Sequence, residues 1–178
     1  LCERRAGMSH AQFADHLLER HAPLALRHHA SLERYVLNVV EDDAALDSVN
    51  VLHYASLEDF ERRNYDSAEG ERIVTEDHAR FLGGAAGYLT QERVYRADSS
   101  PEQPGSRSPG VKWICALRRT ARVSAEDFAA RLETEVVPEL LAGQAGVSSV
   151  VIDRVERRLY ETGVAWDAFL ETRFADAS

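Results

Sequence analysis

Apolar residues recur along this chain in two rhythms, one helical and one strand-like, and the succession of rhythms runs twice. From Ser9 onward, Phe13, Leu17, Leu24 and Ala25 fall on one helical face. Ser9 serves as N-cap, with Gln12 three residues on as its capping-box partner. Pro23 predicts a kink or an end to that helix, because proline removes a backbone donor and crowds the preceding turn. Residues 35–40 and 49–54 predict two strands separated by the acidic turn Glu41-Asp42-Asp43. A short helix from Leu57 and a longer one running to Leu82 follow, stopped by Gly83-Gly84, and residues 88–95 predict a further strand. Val111–Leu117, the run VKWICAL, predicts another strand, and Ser124 with Asp127 a second capped helix start. The chain opens at Leu1 within the tail of an equivalent first strand, so its natural start is expected upstream.

The two passes share a register. Residues 6–17 (AGMSHAQFADHL) lie over residues 121–132 (ARVSAEDFAARL) at a constant offset of 115, which carries Pro23 onto Pro138 and Tyr35-Val36-Leu37 onto Val150-Val151-Ile152. Register held through a helix, a proline and a strand marks an internal duplication. Further on, Leu57-Glu58-Asp59-Phe60 resembles Trp166-Asp167-Ala168-Phe169 at a shorter spacing. The resulting element order is β-α-β-β-α-β, that of ferredoxin-like modules. The second copy stops at Ser178 before its last helix and strand, so it is either cropped or abbreviated. The expected organisation is α+β: a first module over 1–97, a Pro/Ser/Gly-rich flexible linker over 98–110 and a second, shorter module over 111–178. One sheet with helices on one face leaves its other face bare. Two tandem modules are therefore expected to close on each other as an intramolecular, pseudo-dimeric α+β barrel with a ligand cavity inside.

Composition narrows the function more than it names it. The chain has 178 residues, 44% hydrophobic and 29% charged, and a formal net charge of −9. That charge argues against nucleic acid as a partner. No apolar run approaches the roughly 20 residues of a membrane span, and no basic amphipathic helix points to a membrane surface. Two cysteines, Cys2 and Cys115, fit a reducing cytoplasmic setting better than a disulfide scaffold, and neither belongs to a zinc-ligand spacing. Lys112 is the only lysine, which confines Schiff-base chemistry to one position read more simply as a strand-edge charge. Phosphate loops, nucleophile elbows and HExxH motifs are absent.

Arg5-Ala6-Gly7-Met8-Ser9, Phe13, Glu19-Arg20-His21-Ala22-Pro23-Leu24 and Arg34-Tyr35-Val36-Leu37-Asn38 together resemble the EthD-like family. Ser56-Leu57-Glu58-Asp59-Phe60 and residues 76–82 (EDHARFL) extend the resemblance over nearly all of residues 1–96. The second copy matches only in its framework and lacks the histidine and the EDHARFL segment. The resemblance implies a dimeric α+β barrel superfamily fold. It also implies chemistry like that of its wider relatives: cofactor-free isomerases of muconolactones, polyketide dehydratases and small oxygenases of aromatic substrates.

His21 lies on the helical stripe Phe13, Leu17, His21, Leu24, His28, where an imidazole can move a proton at neutral pH. The alternative is a buried histidine bonded to a backbone carbonyl. Its counterpart by the offset is Val136. His53 becomes a second acid–base group if the Val51/His53 face lines the barrel. Tyr35, Asn38, Asp77 and Phe81 are expected to position a substrate, with Asp77 either holding a histidine tautomer or pairing with Arg80. His10 and His16 are expected at the surface, and His28-His29 as helix-end capping. The combined expectation is a lyase or isomerase acting, without cofactor or metal, on a cyclic, aromatic or polyketide-like metabolite. The alternatives are a non-catalytic ligand-binding or accessory barrel and a haem- or oxygen-using monooxygenase. Pairing is expected inside one chain, with a further homodimer open.

Overall fold

The computed structural model describes residues 1–41, 46–97, 105–143, 146–160 and 163–175. The Asp42-Asp43 part of the acidic turn and residues 98–104 of the expected linker lie outside them. The chain divides into two compact units, Leu1–Ala86 and Gly87–Ser178. Each is α+β, with one four-stranded antiparallel sheet and its own helices.

The first unit begins with β1 (Cys2–Arg4) and α1 (His10–His16). A single π-turn, Leu17–His21, joins α1 to α2 (Ala22–His28). Then come β2 (Leu32–Val39), β3 (Ser48–Tyr54), α3 (Leu57–Arg63), α4 (Ala68–Phe81) and β4 (Leu82–Ala85). The sheet order is β2-β3-β1-β4, as in a ferredoxin-like module. The capping box forms as expected: the Gln12 amide donates to Ser9 Oγ at 3.2 Å, and the Ser9 amide to Gln12 Oε1 at 2.9 Å. Phe13, Leu17 and Phe81 form the core against Leu37 and Val39 of β2.

Pro23 neither ends nor replaces the helix. The Ala22 amide reaches back five residues to the Leu17 carbonyl, and this wide turn carries the chain past a residue that has no amide hydrogen to donate. The second unit does the same before Pro138, where the Val137 amide bonds the Leu132 carbonyl.

Gly83 and Gly84 are not a left-handed helix stop but part of β4. A Cβ on Gly83 would lie 2.4 Å from the Arg4 carbonyl oxygen, so glycine is what lets β4 approach β1 this closely. With the fourth place in the first sheet taken by this short strand, the chain continues as β5 (Tyr88–Arg96) in the second unit. There β5 pairs with β7 rather than completing the first module.

The second unit continues with β6 (Val111–Leu117), α5 (Ala125–Arg131), the π-turn Leu132–Val136, α6 (Val137–Gly143), β7 (Val147–Arg158) and β8 (Ala168–Phe174). Its sheet order is β5-β7-β8-β6. Leu132 and Val137 are buried against Val147, Val150, Ile152, Ala168 and Leu170. Trp166 to Phe169 leads into β8, whereas Leu57 to Phe60 is helical, so the shorter spacing inferred from those residues does not describe equivalent elements. Strand pairing sets the equivalence instead: Val36 faces Val51 as Val151 faces Glu171, so the hairpin of the second unit is longer, not shorter.

An arginine–aspartate ion pair recurs at the same place in both units, with a buried carboxylate in the first and a half-buried one in the second. The Arg4 amide and guanidinium hold Asp47 at 2.6 and 2.5 Å, and the Arg119 amide and Nε hold Asp167 at 2.9 Å each. The aspartate amides complete the tie to the Cys2 and Leu117 carbonyls. Each carboxylate thereby locks the exit of the first strand to the start of the third. No helix among the described residues is long and apolar enough to cross a membrane.

Removing a paired, buried carboxylate orphans its donors. Asp47→Ala should therefore lower the unfolding free energy by about 2–3 kcal/mol in urea titrations. Asp167→Ala, at a more exposed position, should cost less.

Candidate active site

Gly70, Val74, Asp77 and Phe81 are the buried positions of α4, spaced four, three and four apart. An aspartate thus occupies a core position of an amphipathic helix, which is costly unless its charge is met. It is met twice. His21 Nδ1 lies 3.0 Å from Asp77 Oδ2, and His16 Nε2 lies 3.0 Å from Asp77 Oδ1. A carboxylate can only accept, so both ring nitrogens donate. His21 therefore donates through Nδ1 and His16 through Nε2, which leaves His21 Nε2 and His16 Nδ1 as the nitrogens not committed to Asp77. Arg80 adds a longer ion pair to Asp77, at 3.7 Å.

The π-turn makes this geometry possible. His16 and His21 are five residues apart, which in a regular α-helix separates them by about 140° around the axis. The extra residue in the turn between them brings both rings onto one carboxylate. Phe81 lies between them as a packing wall, its ring centroid 4.7 Å from His16 and 5.0 Å from His21. His78 closes the other side of His21 at 4.6 Å.

Burial is the largest influence on His21 and lowers its proton affinity below the ordinary histidine value; Asp77 opposes without reversing it. Burial pushes His78 down further, to about 4, with repulsion from His21 adding to the effect. For Asp77, burial alone would raise the carboxyl, but the hydrogen bonds donated by His21 and His16 outweigh it and hold it ionised. The resting set is an ionised aspartate between imidazoles, with His21 neutral.

The expected site residues divide between the two faces of the first sheet. His21, Asp77 and Phe81 meet under the helices. Tyr35 shares that face with Leu37 and Val39, and burial raises its hydroxyl well above the usual tyrosine value. Asn38 and His53 lie on the opposite face, by strand alternation and register. The Asn38 amide donates to its cross-strand neighbour, the Val49 carbonyl, at 2.8 Å. His53 is thus not brought to His21, and Asn38 orients a strand rather than the histidine cluster. His10 binds Asp47 instead of standing free at the surface; His29 is the C-cap of α2, as expected, and His28 in the last turn also binds Asp66. A haem at His21 does not fit: the ring is 3% exposed and packed between His78 and Phe81, with no space beside it for a porphyrin.

Two residues of chemical interest were not anticipated. His16 was expected at the surface; only the π-turn, which hydrophobic periodicity does not reveal, brings it to Asp77. The visible signal was Asp77 itself, an acid at a core position. The second is Asp153, which the 115 offset places on Asn38. It is buried on the face of the second sheet that carries Glu92, Phe169 and Glu171, away from that unit's helices. Thr90 Oγ1 is its hydrogen-bond partner, at 3.4 Å, and Lys112 holds Glu171 at 2.8 Å. Burial, then the charges of Glu171 and Glu92, push Asp153 up to about 7.

Residues 5–85, within the first unit, match the family model of the EthD domain. No curated protein and no solved structure matches the chain.

The two units should respond to pH with opposite signs. His78 protonates near 6.5 when unfolded and near 4 when folded, so stability held above pH 6.5 is lost as pH falls through that window. Chemical unfolding monitored between pH 7 and 4 should show this loss, and His78→Gln should flatten it. Asp153 releases its proton near 3.8 when unfolded and near 7 when folded, so its contribution is greatest at low pH and disappears as pH rises through 7. Asp153→Asn should raise the melting temperature at pH 8 more than at pH 5.

Proposed function

We propose that this chain is an EthD-like small-molecule enzyme, a lyase or isomerase that works by proton transfer on a cyclic, aromatic or polyketide-like metabolite. The observation that carries the reading is Asp77, whose two carboxylate oxygens each hold one histidine in a defined tautomer. A buried carboxylate is a costly partner whose use is to set the tautomer and stabilise imidazolium when it forms. This choice favours catalysis over a non-catalytic ligand-binding or accessory role.

The reading includes duplication. The π-turn before a proline and the Arg–Asp tie occur in both units at corresponding places. Only the first unit has histidine at the π-turn's end; the second has Val136. The proton-handling centre is accordingly assigned to the first unit. The intramolecular barrel expected of tandem modules is part of the same proposal.

Because His21 is buried, alanine there would open a cavity, and glutamine and asparagine are the informative replacements. Solvent-deuterium uptake into a panel of cyclic and aromatic 1,3-dicarbonyl compounds and unsaturated lactones, followed by proton NMR, tests the reading. The folded protein should accelerate uptake into at least one member. Asp77→Asn and His21→Gln, with melting transitions retained, should reduce that acceleration by about 100-fold or more. No acceleration across the panel, or equal rates in the variants, would refute the assignment.

A further inference from the structure

One end of the His16–Asp77–His21 array reaches the surface. His16 lines an open groove of about 830 Å³ on the first unit, while His21 does not. His16 retains 13% side-chain exposure against 4% for His21. We infer that this groove is where the substrate binds, that the substrate carries an anionic group, and that His16 is the residue that touches the reacting atoms. The inference rests on the proton-transfer reading above and names the substrate class and the contact residue for it.

The charge around the groove supports an anion. Arg5, Arg20 and Arg80 converge on it from the end of β1, the π-turn and the end of α4. Asp15 and Glu19 also line it, so the cations are in excess by one. Arg20 makes no ion pair among the described residues. The Arg5 side chain spends one long hydrogen bond, 3.4 Å, on the Ala79 carbonyl, and Arg80 stands 3.7 Å from Asp77. Exposed guanidiniums with donors to spare suit a carboxylate, which can accept two parallel hydrogen bonds from one of them. Met8 and Ala6 supply apolar surface beside the charges.

The chemistry follows from which nitrogen is left. His16 Nε2 is committed to Asp77, so Nδ1 is the nitrogen available to a ligand. With the carboxylate held by arginine, a C–H bond next to a carbonyl breaks, its electron pair passes into the enolate, and the proton goes to His16 Nδ1. The imidazolium so formed keeps its Nε2–H on Asp77. Return of the same proton to a different carbon completes an isomerisation with no further reactant. His21, behind the carboxylate, is a positioning residue: its hydrogen bond occupies the second oxygen of Asp77 and keeps it turned toward His16.

The test uses phenylacetate and its neutral isostere phenylacetamide as probes on the full chain with histidines labelled in the ring. Phenylacetate should bind at least tenfold tighter than the amide and move the His16 ring signals more than those of His21. Combined Arg5→Gln, Arg20→Gln and Arg80→Gln substitutions, with an unchanged melting temperature, should abolish that preference. His16→Asn should leave phenylacetate binding within about threefold and remove deuterium uptake. His21→Gln should leave phenylacetate binding in place, and the reduced uptake that remains should have a shifted pH profile. Equal binding of acid and amide, or ring shifts that bypass His16, would overturn the groove assignment. If uptake still depends on Asp77 in that case, the proton-transfer reading stands without it; anion binding with no uptake dependent on Asp77 would do the reverse.

Discussion

Asp77 is the constraint around which the first unit is arranged. A carboxylate at a core position of α4 is tolerated only if donors meet both oxygens, and the unit supplies two imidazoles from one helix. Meeting that requirement needs a π-turn between them, and the π-turn in turn accommodates Pro23. The aromatic wall of Phe81, one turn beyond Asp77 on the same helix, fixes both rings in place. Burial then keeps His21 neutral, and the same carboxylate that orients it prepares the site for a positive charge. Core packing and acid–base state in the first unit thus meet at one residue.

The second unit shows the same frame without that device. It has the capped helix, the π-turn, the proline and the Arg–Asp tie, but Val136 stands where His21 does. Its unusual carboxyl is Asp153, on the far face of the sheet and in the place of Asn38. An asparagine there satisfies itself by donating to the strand beside it. An aspartate can do so only while it holds a proton, which is the state its surroundings favour near neutrality. The two units therefore carry their unusual carboxyls on opposite faces of their sheets.

Much of the frame was legible in the sequence because it is written in local signals. Ser9 with Gln12 and Ser124 with Asp127 are short-range capping codes, and both form. Residues 35–40 and 49–54 are strands by composition, and Phe13 and Leu17 are core by spacing. What escaped was non-local or off-period. The fate of residues 88–95 depends on whether β4 fills the first sheet, which follows from how closely Gly83 can approach Arg4. His16 escaped because a five-residue interval belongs to no regular helical face. Asp77 and His21 were each visible singly, yet their meeting across 56 residues is a property of packing. His53 and Asn38 were grouped with them by residue type, and strand alternation separates them.

The central claim is that Asp77 holds His16 and His21 in opposite tautomers. Nitrogen-15 NMR of the labelled imidazole rings, in wild type and Asp77→Asn at pH 7.5, tests it most directly. The account predicts His16 protonated at Nε2 and His21 protonated at Nδ1 and neutral, with both patterns lost in the variant. Two rings in the same tautomer, or spectra that the substitution leaves unchanged, would contradict it.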